Sequence, residues 1–337
     1  MNPHSLIAVR MLCGPGEEFG PALIKKRITR ARELREIFYP GQKAYRAVFS
    51  ESDLLPGLVV DRYGDWLSVQ AATAGMERLM PQVMEALREV YSPEGIVIRN
   101  DSRLRTLEGL PIEKKVAEGD YTGPLAVEIA GIKFAVDLLE GQKTGFFLDQ
   151  VDNYQLLDRI AKGKEVLDLF CHTGAWALYA AKAGAALALG VDSSGPALAL
   201  ANGNAQANGL SGTTSFLEED AFNALKRLIG KGKSYDVVVV DPPAFIKSKS
   251  KTAEGIKGYR DLNAKAMKVV KPGGFLISSS CSHHLEREAF RDVLRESASS
   301  VGRGARLLEM RSQSKDHPAL VSAPETDYLK CALLQIM

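Results

Sequence analysis

Cysteine is scarce in this chain: four residues, at positions 13, 171, 281 and 331, stand far apart and form no CxxC pair. That spacing excludes a disulfide framework and a structural zinc site, so the thiols are expected to be reduced. No apolar run reaches the length of a signal-peptide core or a membrane span, and the first stretch of chain grows steadily more basic instead. A cytoplasmic protein with no membrane partner is the expectation. Net charge is also missing, since 43 Lys and Arg against 41 Asp and Glu leave a formal +2. Any case for nucleic acid must therefore rest on local clusters. The GxGxxG fingerprint of a dinucleotide site is absent as well.

What is present fits an ordinary globular protein of two or three domains: 337 residues, 45% hydrophobic and 25% charged. An alternating segment, Leu6 to Leu12, precedes a predicted helix from Glu18 to Phe38. In that helix Ile24, Ile28, Ala31 and Phe38 share a face, while Lys25, Lys26, Arg27, Arg30, Arg32 and Arg35 project elsewhere. Such a face is either solvated or turned toward RNA. Short strand-like runs (Tyr45 to Phe49, Gly57 to Val60, Trp66 to Ala71, Gly95 to Arg99) then surround a helical segment, Glu77 to Val90, predicting a small α+β domain with an antiparallel sheet. Gly123-Pro124 marks a boundary before a second alternating pair, Leu125 to Leu138.

From Asp149 onward strands alternate with helices, the one before the fifth strand running from Tyr259 to Val270, and runs such as Val237-Val238-Val239-Val240 are apolar throughout. That pattern predicts an α/β fold with a Rossmann-like, doubly wound parallel sheet, in which ligands bind at the carboxyl ends of the strands. The first strand, Glu165 to Phe170, carries Asp168 at its tip and leads into Cys171-His172-Thr173-Gly174. A single glycine at this turn suits a ligand without phosphates, whose positive centre and amino group would welcome a carboxylate. Asp192, followed by Ser193, ends the second strand and can accept from a ribose diol. Asp220, followed by Ala221, comes after the third strand, where an exocyclic amine could be met. An aspartate at a strand end is usually an N-cap. The ordered set, completed by Asp241, points to S-adenosylmethionine rather than NAD.

Asp241-Pro242-Pro243-Ala244-Phe245 ends the fourth strand, and two prolines force the chain out of the sheet. Asp241 could bond the edge of a flipped base, with Phe245 stacking on its face. The fifth strand, Gly274 to Ser280, leaves Cys281 at the tip beside Asp241. A lone cysteine after an apolar strand is usually a small core residue. Here three serines precede it, and a nearby sulfonium would favour its thiolate. Carbon 5 of a pyrimidine is a poor nucleophile. Thiolate addition at carbon 6 makes carbon 5 enamine-like and splits one hard step into two easier ones. Cys171, in the cofactor turn, reads as a cofactor neighbour. His283 and His284 lack companions of ligand geometry, so no metal is expected. Lys247-Ser248-Lys249-Ser250-Lys251 reads as a mobile basic loop.

At these motifs the chain resembles the bacterial ribosomal RNA large subunit methyltransferase I family. The resemblance rests on Asn2-Pro3-His4-Ser5, Leu55 to Tyr63, Gln142 to Gln150, Asp241-Pro242-Pro243, Gly258 to Asn263, Ser280-Cys281-Ser282 and Asp316-His317-Pro318. It implies a PUA domain, a small central domain and a class I methyltransferase domain, here bounded as residues 1–43 (a PUA remnant plus basic helix), 44–124 and 125–337. The chain starts where the family's PUA domain would be ending. The resemblance further implies 5-methylcytosine formation in ribosomal RNA, with Cys281 as nucleophile. It sets Lys143, Thr144, Phe146 and Asp149 against the cofactor, and Pro242, Pro243, Phe245, Lys247, Tyr259 and Arg260 toward the RNA. Two cations common in the family are replaced by Val151 and Ala244, so Lys247, Lys249 or Arg260 would have to substitute. The residues leave three alternatives open: carbon 5 transfer, transfer to an exocyclic amine, and a non-catalytic RNA-binding assembly factor. A homodimer is a further partner state the sequence allows.

Overall fold

The computed structural model describes Ile7 and residues 9–337. Asn2-Pro3-His4-Ser5, Leu6 and Ala8 lie outside the described residues. The chain forms two compact units. One comprises the described residues up to Asp149 together with Ser314–Asp327; the other comprises Gln150–Gln313 and Tyr328–Met337. The boundaries expected at 43/44 and 124/125 fall inside the first unit.

The first unit contains α1 (Pro21–Phe38), β1 (Ala44–Phe49), β2 (Leu58–Tyr63), β3 (Trp66–Ala71), α2 (Ala74–Tyr91), β4 (Gly95–Asn100), α3 (Leu104–Leu107), β5 (Glu113–Glu118), β6 (Leu125–Ile129) and β7 (Ile132–Val136). Strands β1 to β5 form one sheet in chain order, and β6 and β7 form a separate hairpin. The expected antiparallel sheet is corrected at one pairing: β3 and β4 run parallel, because α2 carries the chain back across the sheet between them. Thr73 caps α2 by accepting from Met76 N–H at 3.2 Å. Ile24, Ile28 and Ala31 of α1 join Val83 and Leu87 of α2 over Leu58, Val60 and Val69 in one core. No helix or strand occurs among residues 9–20, and nothing identifies them as part of a PUA domain.

Helix α1 is less of a cationic face than its composition suggests. Arg35 is fully buried, bidentate to Asp53 at 2.7 Å and bonded to the carbonyls of Arg46 and Asp316. Arg27 is buried and pairs with Glu17, Lys25 reaches Glu89, and Arg32 reaches Glu36. Four of the six cations are thus bound within the unit. Arg46 in turn holds Asp61 through two bonds of 2.7 and 2.9 Å, and its amide N–H donates to Asp316 Oδ2 at 2.8 Å. These bonds fasten residues 314–327 to α1 and β1.

The second unit alternates α4 (Leu157–Ile160), β8 (Glu165–Leu169), α5 (Ala175–Lys182), β9 (Leu187–Asp192), α6 (Gly195–Ala207), β10 (Thr214–Glu218), α7 (Ala221–Gly230), β11 (Tyr235–Val240), α8 (Thr252–Lys268), β12 (Val270–Ser280), α9 (Arg287–Ser300), β13 (Ala305–Arg311) and β14 (Lys330–Ile336). The strand order is β10-β9-β8-β11-β12-β14-β13. Strands β8 to β12 are mutually parallel, and β14 is antiparallel to both its neighbours. The chain winds outward from β8 through β9 to β10, then returns to the other side of β8 with β11. The point where winding reverses, between β8 and β11, is where such sheets bind ligands. Helix α8 starts at Thr252 rather than at the expected Tyr259. Its glycines hid it, and they are there for a reason. A Cβ on Gly255 would lie 2.3 Å from the Ile246 side chain, and one on Gly258 would lie 3.2 Å from the Phe245 ring. The loop after β11 therefore rests directly on α8.

Replacing Arg35 with leucine leaves Asp53 and two carbonyls without their buried cation. The first unit should lose about 3–5 kcal/mol, the usual cost of breaking a buried pair from one side. Urea unfolding should show it as a lowered midpoint; an unchanged midpoint would contradict this account of the network.

Candidate active site

Asp168 lies on β8, fully buried, and its Oδ2 accepts from Ala177 N–H at 3.0 Å, while Oδ1 has no partner. Burial, with Asp241 and Asp192 close enough to repel, pushes its carboxyl well above the usual range, against the opposing pull of the Ala177 bond. Three carboxylates from three adjacent strands thus converge at the switch point. The turn after β8 is contorted, with Phe170, His172 and Gly174 at φ of 65°, 48° and 84°. Left-handed backbone at a phenylalanine is a strained conformation that surrounding contacts must enforce. They do so here: Cys171 N–H donates to Val191 O at 3.1 Å, His172 N–H to Asp192 Oδ2 at 2.9 Å, and Asn204 Nδ2 to Thr173 O at 3.1 Å. Gly174 and Gly190 leave room for the Phe216 ring, which an added Cβ would meet at 2.9 and 2.6 Å.

The other acids of the series also serve the backbone. Asp192 Oδ1 accepts from Ser194 N–H at 2.9 Å, which leaves each oxygen a second lone pair. Asp220 is the N-cap of α7, accepting from Asn223 N–H at 3.0 Å, the usual role of an aspartate at a strand end. Ser193 is exposed, and Ala221 is buried in the first turn of α7. Burial lowers the His172 imidazole below its ordinary value.

Asp241 follows β11, with Oδ1 accepting from Gln150 Nε2 at 2.9 Å and Oδ2 from Trp176 Nε1 at 3.1 Å. Gln150 is itself aligned by Asn153 Nδ2 at 2.7 Å, and Trp176 packs edge-on against Tyr154. The sequence reading missed both donors. Gln150 closes the 142–150 stretch that carried the resemblance, which was the available signal; Trp176 had none. Pro242 is buried and Pro243 exposed; Phe245 is half-buried between Phe222 and Tyr259, and Lys247 is exposed. Tyr259 is fully buried, its hydroxyl 2.9 Å from Ser282 Oγ and its ring against Phe290. The expectation that Tyr259 faces RNA is corrected accordingly: it supports the loop from beneath. Arg260 pairs with Glu296 at 2.7 Å. Arg260 is exposed and Glu296 partly so, and a pair of that kind is weak enough for a phosphate to compete.

Cys281 follows β12 and is half-buried. Strands β11 and β12 pair in parallel, Val240 opposite Ser278, so Asp241 and Cys281 end adjacent strands. The other thiols of this unit differ from it. Cys171 is buried, and desolvation with Asp168 and Asp192 nearby raises its pKa far beyond the ordinary range; burial pushes Cys331 up to about 12. The candidates from 143 to 149 belong to the first unit. Lys143 pairs with Asp149 at 3.0 Å over the Phe147 ring, and the buried Thr144 hydroxyl donates to Asp61. Phe146 N–H donates to Tyr63 OH at 3.0 Å, and its ring packs on Phe134. Among the described residues no group of three or more His, Cys, Asp and Glu could hold a metal ion, and no helix is long and apolar enough to cross a membrane.

Comparison with known proteins agrees with this architecture. A family model for S-adenosylmethionine-dependent methyltransferases matches residues 99–319. Among solved structures, SMU.776 complexed with SAH superposes with a TM-score of 0.85 at 22% identity, covering 96% of this chain and 84% of that one. Trm5b from Pyrococcus abyssi gives 0.61 at 14% identity over 82% and 74% of the two chains. The fold is thus that of an S-adenosylmethionine-dependent methyltransferase, with S-adenosylmethionine as cofactor. The buried, unpartnered Asp168 oxygen amid three carboxylates fits a ligand carrying a sulfonium and an ammonium. Ribosomal RNA large subunit methyltransferase I of Aeromonas hydrophila is 40% identical over 90% of this chain and 78% of its own length. Its namesake from Shewanella denitrificans is 40% identical over 98% and 84%. The chain belongs to the ribosomal RNA large subunit methyltransferase I family.

The thiols should separate by reactivity. Iodoacetamide on the folded protein at pH 8 should label the half-buried Cys13 and Cys281 and spare Cys171 and Cys331, read by peptide mass spectrometry. Rapid labelling of Cys171 would contradict its buried, protonated state.

Proposed function

We propose that the protein methylates carbon 5 of a cytosine in large-subunit ribosomal RNA, with Cys281 as covalent nucleophile. The observation that carries this reading is the parallel pairing of β11 and β12, adjacent strands that Asp241 and Cys281 directly follow, with Cys281 two residues farther along the register. The names of the relatives support the ribosomal RNA substrate. The contrast between half-buried Cys281 and the two buried, protonated thiols supports Cys281 as the nucleophile.

We assign Asp168, Asp192 and Asp220, with the turn from Cys171 to Gly174, to hold S-adenosylmethionine. When bound, it supplies a methyl group on positively charged sulfur. Cys281 Sγ forms a bond to carbon 6, and the displaced electron pair makes carbon 5 nucleophilic enough to take that methyl. Loss of the carbon 5 proton to a base then restores the double bond and expels the thiolate. Asp241, oriented by Gln150 and Trp176, accepts from the cytosine edge. The exposed edge of Phe245, with Pro243, Lys247 and Arg260, borders the RNA.

RNA carrying 5-fluorocytosine should trap a covalent adduct through Cys281, seen as a mass increase that Cys281→Ala abolishes. Full methylation by Cys281→Ala would sink the carbon 5 reading and favour an exocyclic amine. Asp168→Asn should weaken S-adenosylmethionine binding in calorimetry by about ten- to a hundredfold, the worth of a hydrogen bond to a charged group.

A further inference from the structure

Ser282, the residue after the proposed nucleophile, has its backbone and side-chain polar groups all engaged. Its N–H donates to Ser280 Oγ at 3.3 Å. Its hydroxyl lies 2.9 Å from Tyr259 OH and accepts from Ile246 N–H at 3.2 Å. Its carbonyl accepts from Lys330 Nζ at 2.8 Å and, within the turn, from Leu285 N–H at 3.1 Å. These bonds run to separate parts of the second unit: Ile246 lies in the loop beyond Asp241, Tyr259 is on α8, and Lys330 opens β14. The thiol's turn and the loop of the candidate base site are therefore tied to one residue.

Lys330 is the unexpected member. It is only 3% exposed, stands opposite Ser280 in the antiparallel pairing of β12 with β14, and also donates to Tyr328 O at 2.8 Å. Burying an ammonium carries a heavy desolvation cost, and an apolar side chain would fill the same space without it. What the ammonium adds is a directional, charge-assisted bond to the Ser282 carbonyl. That carbonyl is one peptide from Cys281, so its direction fixes how the thiol leaves the strand.

We propose that Lys330 is a positioning residue that aims Cys281, an inference that rests on the carbon 5 reading above. Its ammonium acts through Ser282 and takes no part in bond making. Removing it lets the turn relax while the acidic half of the site, on β8 and β9, stays as it is.

The test compares full-length Lys330→Met and Lys330→Arg with wild type in S-adenosylmethionine affinity, RNA KM, kcat and the rate of adduct formation on 5-fluorocytosine RNA. In Lys330→Met, affinity and KM should hold while kcat and adduct rate fall together by about a hundredfold, the effect expected of a nucleophile misplaced by an ångström. Lys330→Arg, which keeps a charged donor, should recover most of that loss. If Lys330→Met fails to fold, Lys330→Gln retains a neutral donor and should lose about tenfold in kcat. Wild-type kcat in Lys330→Met or Lys330→Gln would overturn the proposal, as would equal losses in cofactor affinity and kcat, the mark of a packing role. The two readings fail separately: absence of an adduct in wild type defeats the carbon 5 reading, whereas an adduct forming at wild-type rate in Lys330→Met defeats only the role of Lys330.

Discussion

Like charges from neighbouring strands have to be held against their repulsion before anything else at this site can work. Asp168, Asp192 and Asp241 stand close enough to raise the proton affinity of Asp168. They stay there because each is gripped by donors the fold supplies: amide N–H groups of Ala177, His172 and Ser194, the Gln150 amide and the Trp176 indole. The strained turn after β8 follows from the same constraint. Its left-handed residues aim the His172 N–H at Asp192. A cation entering this cluster relieves the repulsion that the apo protein sustains, which couples cofactor binding to the stability of the whole sheet end.

The opposite wall is organised by closeness of approach. Two glycines on α8 let the loop after β11 lie on the helix, with Phe245 and Ile246 in direct contact with it. Tyr259 then reaches from the helix to both Phe245 N–H and Ser282. Side chains remote from any base thereby set the height of the loop that would receive one.

The parallel sheet was legible because its strands are apolar on both faces, and the acids could be read from their order at strand ends. The same rule put Asp241 and Cys281 after adjacent strands, where the structure has them. Strand β5 escaped because Glu113 to Glu118 is a charged edge with no apolar alternation. The early turns of α8 escaped because Gly255 and Gly258 weaken any helical pattern. Tyr259 was assigned to RNA on its motif, whereas its environment depends on contacts with Ser282 and Phe290 that no local pattern encodes. The same is true of the buried cations of α1: Arg35 and Arg27 read as a solvated or RNA-facing surface until their distant partners are known.

Residues 314–327 belong to the first unit although they lie between β13 and β14 of the second. Asp316 supplies acceptors to Arg35 and to Arg46 N–H, and His317 packs on Phe49. During synthesis the N-terminal unit therefore cannot be completed when its first 149 residues have emerged. It must wait, with the buried guanidinium of Arg35 only partly satisfied, until residues 314–327 have left the ribosome. Folding from the N-terminus forward is ruled out as a simple sequence of finished domains. The interleaving makes residues 314–327 the clasp of a unit whose other described residues are made well before them.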